Sequence, residues 1–363
     1  MIGILHRIAG SMFDRFELVG GVFGSDLEQS ISFGQGIGLV SSRIYPTLEA
    51  FIESERRLPE NQRIEVVSVL TPNFLHFDNA KDLLESGFHV ICEKPLTTNY
   101  QEGLELKRIQ ELSNKVFAVT YTYTGYPMIR QMRHMIEEGQ IGAIQKIDAQ
   151  YFQGWINPII HDKEKRGSTW RLQTEKSGIS CCVGDIGTHA FDMIEYLSGI
   201  KVRSVLADLN YLYEDNQMDI DGTVLIRCEG DVKGSIRASQ IATGEENGFV
   251  VKIYGKGGGL KWEQENPNYL YLLQEDQPMQ TLKPGNAYNS MLSLDGTKLP
   301  PGHPEGIFDA MGNIYRGVAR AIRKEPYDRG EFPTIEQGLR GVNFVEQVVA
   351  SHKEGNVWKQ LEN

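Results

Sequence analysis

The sequence predicts an α/β protein in two parts. Residues 1–123 read as a doubly wound parallel sheet, and residues 124–363 as an α+β domain with a large, mostly antiparallel sheet. Three observations predict this. Apolar runs at 64–70, 88–92 and 116–121 alternate with helical patterns of ten or more residues, the mark of β-α-β units with right-handed crossovers. After residue 123 that rhythm stops. Beyond residue 200 come consecutive strands with hairpin signals, which point to a largely antiparallel sheet. With 363 residues, 40% of them hydrophobic, the chain can bury two cores.

In order, residues 1–9 read as a helix already under way and 16–23 as a strand. A helix leading into a strand is the second half of a β-α-β unit, so the first strand of a Rossmann-like sheet is read as missing. A dinucleotide-binding unit would place a glycine-rich turn before that helix, with Gly3 as its last glycine. A plain N-terminal helix fits the same residues. Gly24-Ser25-Asp26 closes the strand, where an acid would hold an adenosine ribose and a small or basic residue would admit a 2′-phosphate. Ser25 therefore leaves NAD and NADP both open, and Asp26 equally suits a helix cap.

Residues 46–57 have a helical face of Leu48, Phe51 and Ile52. Strand 64–70 closes on Thr71-Pro72-Asn73, helix 77–86 stops at Gly87, and strand 88–92 runs into Glu93-Lys94-Pro95. Helix 100–112 and strand 116–121 complete the first part. The second begins with helix 127–138 and strand 143–152, then a loop carrying Trp155, His161, Trp170 and Arg171. A helix from Gly184-Asp185-Ile186-Gly187-Thr188-His189 runs to Ser198, and strands follow at 201–212, 222–229, 232–241, 249–255, 259–264 and 268–274. Gly230-Asp231 signals a two-residue hairpin, and Gly257-Gly258-Gly259 a tight turn rather than a phosphate loop, since no helix follows it. Helices at 304–324, with Pro304 in the first turn, and at 334–351 end the chain.

The net charge of −11, without a basic run, argues against nucleic acid and anionic membrane as partners. No apolar stretch reaches the ~18 residues of a membrane span. Four cysteines (Cys92, Cys181, Cys182, Cys228) lack metal-ligand spacing, so no metal is expected and a reducing, cytoplasmic compartment fits.

Two places carry chemistry. Ligands of open parallel sheets sit beyond the carboxyl ends of the strands, where Lys94 can reach a cofactor or substrate. Asp185 and His189, four apart on a helix, can converge, the carboxylate raising the imidazole pKa to suit a general base. A surface ion pair at Lys94, a capping Asp185 and a packed core His189 are the plainer readings. Tyr123, Trp155 and Trp170 suit stacking on a sugar-like ring.

Taken together, Thr71-Pro72-Asn73…His76, Glu93-Lys94-Pro95 and Gly184-Asp185-x-x-x-His189, in this order, resemble the Gfo/Idh/MocA oxidoreductases over nearly the whole chain. Trp170-Arg171 and Gly302-His303-Pro304-Glu305-Gly306 resemble a longer branch of that family. The resemblance implies hydride transfer between NAD or NADP and a hydroxyl of a sugar, glycoside or inositol-like polyol. It implies a homodimer or homotetramer formed through the open sheet. It matches Lys94, Asp185 and His189 to the catalytic set, with His189 as base, and Thr71, Pro72, Asn73, His76 and Glu93 to the cofactor lining. It places His303 and Glu305 towards the substrate. Members of this branch carry a strand and glycine turn ahead of residues 1–9, so the chain is expected to be N-terminally truncated, either because the true start lies upstream or because this is a truncated product. Two other readings stay open: an impaired dinucleotide-fold sensor or interaction protein, and an NAD-dependent glycosidase.

Overall fold

The computed structural model describes residues 2–211, 218–328 and 330–362. Residue 212, where the expected strand 201–212 would end, lies outside them. Two sheets organise the chain. The smaller is parallel, in the order β1 (Val66–Val69), β2 (His89–Cys92), β3 (Phe117–Val119). The larger has nine strands: β4 (Ile144–Phe152), β5 (Val202–Asn210), β6 (Asp221–Cys228), β7 (Lys233–Ser239), β8 (Gly248–Gly255), β9 (Gly258–Glu263), β10 (Leu270–Leu273), β11 (Gln280–Leu282) and β12 (Lys359–Gln360). Their order is β11-β10-β9-β8-β4-β7-β6-β5-β12. Every pair in it is antiparallel except β4 with β7, where Ala149 lies opposite Ile236.

The turns follow their residues. The expected two-residue hairpin is longer: a turn over Glu229–Asp231, with Gly230 and Asp231 both at positive φ (67° and 59°), joins β6 to β7, and the Cys228 N–H donates to Val232 O across its base. β8 and β9 close on the Gly255–Gly258 pair, so the expected turn falls on Lys256–Gly257, while Gly258 and Gly259 open β9. Two expectations fail. The segment 16–23 is not a strand: Gly21 makes a single bridge to Ile44, because the backbone beside it is only Arg43–Tyr45 and a ladder needs a longer neighbour. The helix expected from Pro304 starts at Ile307 behind Gly306, whose N–H is held by the Asp309 carboxylate, so Pro304 lies ahead of the helix. The helix-cap reading of Asp26 holds: its carboxylate accepts from the Gln29 N–H at 2.7 Å at the start of helix Leu27–Gly36.

The cores do not divide as the sequence does. One face of the small sheet packs Ile91 and Ala118 against Met311, Ile314 and Val318 of helix Ile307–Arg323. The other takes Ile335 and Val342 of helix Ile335–Lys353 into the cluster around Leu83, Val90 and Val119. That last helix starts at Thr334, whose N–H donates to the Gln337 side chain at 2.8 Å. Just before it, the Val119 N–H donates to Pro333 O and Ala118 bridges Thr334, which adds an antiparallel contact to the sheet edge. No described helix is long and apolar enough to cross a membrane.

Candidate active site

β2 runs out at Cys92 and delivers Glu93 and Lys94, followed by a cis Lys94–Pro95 peptide. The Lys94 ammonium donates to Asp185 Oδ1 at 2.6 Å and to the Asp185 main-chain oxygen at 2.9 Å. A wide π turn, Val183–Gly187, brings Asp185 there from the second sheet's side. It is anchored by buried Asp219, whose carboxylate accepts from the N–H groups of Cys181 (2.9 Å) and Val183 (2.8 Å). The other Asp185 oxygen accepts from Gln240 Nε2 at 3.0 Å and lies 3.8 Å from Arg171 Nε. Burial works to raise the Asp185 pKa, but the charges of Lys94 and Arg171 more than offset it and hold the carboxyl below its usual range.

Glu93 is compensated from the opposite side. Its carboxylate meets His6 Nε2 at 2.9 Å, accepts from Thr120, and lies beside Lys94. Burial alone would raise its pKa; the His6 contact, Lys94 and Thr120 instead bring it down to about 2. His6 Nδ1 in turn reaches the Tyr315 hydroxyl at 2.8 Å, which also meets Ser68 at 2.8 Å. The first helix is thereby tied to the ends of β1, β2 and β3.

His189 has no such company. It is 9% exposed, and its ring packs edge-on to Tyr123 (4.9 Å) and Tyr121 (5.5 Å). Its Nδ1 is buried without a hydrogen-bond partner. Burial first, then the nearby Lys94 charge, lowers its pKa to about 3, against a smaller upward pull from Asp185. The expectation that Asp185 raises the His189 pKa is therefore overturned. The π turn gives the Asp185 oxygens to Lys94 and Gln240, and desolvation outweighs what attraction remains. His189 stands as a neutral imidazole at pH 7.

The other expected residues divide sharply. Thr71, Pro72 and Asn73 form a partly exposed turn after β1, and Asn73 donates to Ser177 O at 3.2 Å, ahead of the Asp185 segment. His76 does not line a ligand site. It is fully buried, its ring nitrogens facing the carbonyls of Pro95 (2.7 Å) and Thr71 (2.9 Å), so it braces two turns. Gly3 lies in the first helix with open space around its Cα, and Ser25 is exposed beside the Asp26 cap. Tyr123 is not an open platform: it is 8% exposed, bonded to Tyr151, and forms the wall behind His189. Trp155 packs on the Ile156–Cys181–Ile220 cluster. Arg171 stacks over Trp170 at 4.6 Å beside Asp185, which brings both to the site. His303 is not brought in: it is exposed, with Nδ1 3.1 Å from Pro300 O. Glu305 is buried; its carboxylate accepts from the Leu299 N–H at 2.8 Å and its backbone N–H donates to Asn268 Oδ1 at 3.1 Å, so it shapes a loop. His6, Thr120, Asp219 and Gln240 were missed. None sits in a motif, and only the fold brings them to the site.

A nucleotide cofactor fits this edge. The carboxyl ends of β1, β2 and β3 present Thr71–Asn73, Glu93–Lys94 and Thr120 side by side, and across from them lies an imidazole with an unpartnered buried nitrogen. A parallel sheet whose strand ends carry a lysine that meets a carboxylate from a π turn, beside a neutral histidine on the helix that follows, defines a dinucleotide-dependent oxidoreductase. Residues 10–121 match the oxidoreductase family with an NAD-binding Rossmann fold, and residues 129–261 match the GFO/IDH/MocA C-terminal domain. An uncharacterized oxidoreductase of Bacillus subtilis, YfiI, is 32% identical over 99% of this chain and 93% of its own length. An oxidoreductase structure from Sinorhizobium meliloti is 36% identical, with TM-score 0.89 over 99% of this chain and 96% of that one. An inositol dehydrogenase homologue of Azotobacter vinelandii, solved with NADH and myo-inositol, is 31% identical, with TM-score 0.90 over 99% and 94%. The chain belongs to the GFO/IDH/MocA oxidoreductase family and uses a nicotinamide dinucleotide. The expected N-terminal truncation is not borne out by these comparisons.

Proposed function

We propose that the protein oxidises a secondary hydroxyl of a ring sugar, glycoside or inositol-like polyol, with NAD or NADP as hydride acceptor, and runs the reverse reduction. The observation that carries this reading is the Lys94–Asp185 pair joined across the two sheets beside a neutral, desolvated His189. Thr71–Asn73, Glu93 and Lys94 would hold the dinucleotide, whose oxidised nicotinamide would supply the hydride acceptor. Lys94 spends two N–H bonds on Asp185, leaving one to donate to the substrate hydroxyl oxygen. That bond stabilises the developing alkoxide, and the neutral His189 takes the hydroxyl proton. Asp185 orients Lys94. Arg171 on its Trp170 platform borders the substrate, and Tyr123 and Tyr151 keep water from the imidazole. The A. vinelandii homologue's myo-inositol complex supports a polyol substrate.

Four free, buried cysteines support a cytoplasmic location. In β6, Thr223, Leu225 and Arg227 are exposed while their neighbours are buried, which supports assembly of dimers or tetramers through that sheet face. The test is titration with NADH and NADPH, then a sugar and polyol panel read by nicotinamide absorbance. Saturable binding with stoichiometric reduced cofactor is expected. Cofactor binding without turnover on any cyclic polyol or sugar would overturn the substrate reading.

A further inference from the structure

We propose that Gln240 is the positioning residue that locks Asp185, and through it Lys94, into the geometry the reaction needs. The proposal rests on the roles given above to Lys94 and Asp185. Gln240 directly follows β7 and is fully buried. Its backbone N–H donates to Ile220 O at 2.9 Å, which fixes the residue to the large sheet. Its side chain spans two groups: Nε2 donates to Asp185 Oδ2 at 3.0 Å, and Oε1 accepts from the Cys181 thiol at 3.3 Å.

Chemistry fixes the orientation of this amide. An ionised carboxylate can only accept, so the NH2 end must face Asp185 and the carbonyl must face the thiol. Burial pushes the Cys181 thiol pKa well up, so the sulfur keeps its proton and remains a donor. The two Asp185 oxygens are thus divided between Lys94 and Gln240. Without the amide, Oδ2 would be left with Arg171 at 3.8 Å as its nearest donor. The carboxylate would then turn, and the Lys94 N–H reserved for the substrate would lose its direction. The groups facing Asp185 are Lys94 after β2, Arg171 from the loop, His189 from the following helix, Cys181 and Cys182, and the phenols of Tyr123 and Tyr151.

The test uses the full chain as wild type, Gln240→Met and Gln240→Glu, each checked for folding by circular dichroism. With a polyol that the wild type oxidises, Gln240→Met is expected to lower kcat about tenfold or more, the cost of a hydrogen bond to a charged group. KM for the dinucleotide should stay within about twofold, since the hydrogen bonds of Gln240 go to Asp185, Cys181 and Ile220 rather than to the ends of β1, β2 and β3. Gln240→Glu should work best at low pH, where its protonated carboxyl can still donate. It should then lose turnover as pH rises and two carboxylates meet, while the wild type holds. A second readout needs no substrate: acetylation of Lys94 by acetic anhydride, followed by peptide mass spectrometry, should be several-fold faster in Gln240→Met. Unchanged kcat and unchanged Lys94 acetylation in a folded Gln240→Met would overturn the proposal. So would a Gln240→Glu profile that follows the wild type. A wild type that turns over nothing would count against the proposed function alone, because Lys94 acetylation still decides the role of Gln240. If Gln240→Met does not fold, the pH profile of Gln240→Glu decides.

Discussion

The two halves of the site are built on opposite electrostatic plans. Around Lys94 every charge is answered: Asp185 on one side, Glu93 on the other, and each carboxylate further tied to a histidine, threonine or amide. Around His189 there are aromatic rings and an unpartnered nitrogen. Compensation keeps Glu93 and Asp185 ionised in spite of burial, and the lack of it keeps His189 neutral. The site thus offers a fixed cation and a neutral imidazole with a basic lone pair together, which is the pairing that removal of a proton from an alcohol requires.

The comparison breaks most completely at Lys94. Lys94→Met should lower kcat about a thousandfold, within the range for a general acid–base group, and steady-state assay against the wild type checks it. His189→Ala should come next, with turnover down about a hundredfold or more and cofactor affinity, read by nicotinamide fluorescence, nearly unchanged. Equal loss of both would remove His189 as the base.

Acid titration sharpens the contrast. His189 titrates at about 3 in the folded protein and near 6.5 unfolded, so the unfolded chain binds the extra proton first. Stability is then full above about pH 6.5 and falls as pH drops towards 3. Glu93, at about 2 folded, adds a second loss that begins near pH 4.5 and amounts to about 3 kcal/mol. Urea melts across this range should show His189→Phe flattening the upper part and Glu93→Gln the lower. A kcat limb near pH 6.5 would mean that His189 is less desolvated than the structure has it. The smallest effect is expected at Tyr123→Phe. It removes the hydroxyl contact to Tyr151 but keeps the ring, and should cost about 1 kcal/mol in thermal unfolding with turnover nearly intact.

Much of this was legible in the chain. The runs 64–70, 88–92 and 116–121 became β1, β2 and β3 because apolar strands punctuated by glycine and proline carry their own boundaries. Lys94 was legible because a charged residue at the end of a buried strand has few places to go. The geometry between Asp185 and His189 was not. A spacing of four implies a shared face only in an α-helix, and the π turn at Val183–Gly187 breaks that premise. Burial, which decides the His189 pKa, is a property of the packed molecule. His6 and Gln240 lie 87 and 55 residues from the side chains they hold, so no local pattern could join them. The segment 16–23 misled because its composition suits a strand while the fold provides almost nothing for it to pair with.

The contact of Val119 with Pro333, and of Ala118 with Thr334, has a consequence for how the protein is made. Synthesis runs from the N-terminus, so β1, β2 and β3 leave the ribosome long before the segment that borders them and the two helices that cover their faces. Until then the nascent sheet shows water an unpaired edge and apolar sides, the state in which chains stick to one another. The nucleotide-binding half is the first to be translated and among the last to be finished. A ribosome-bound chain stopped at residue 123 should need a chaperone that one released at full length does not.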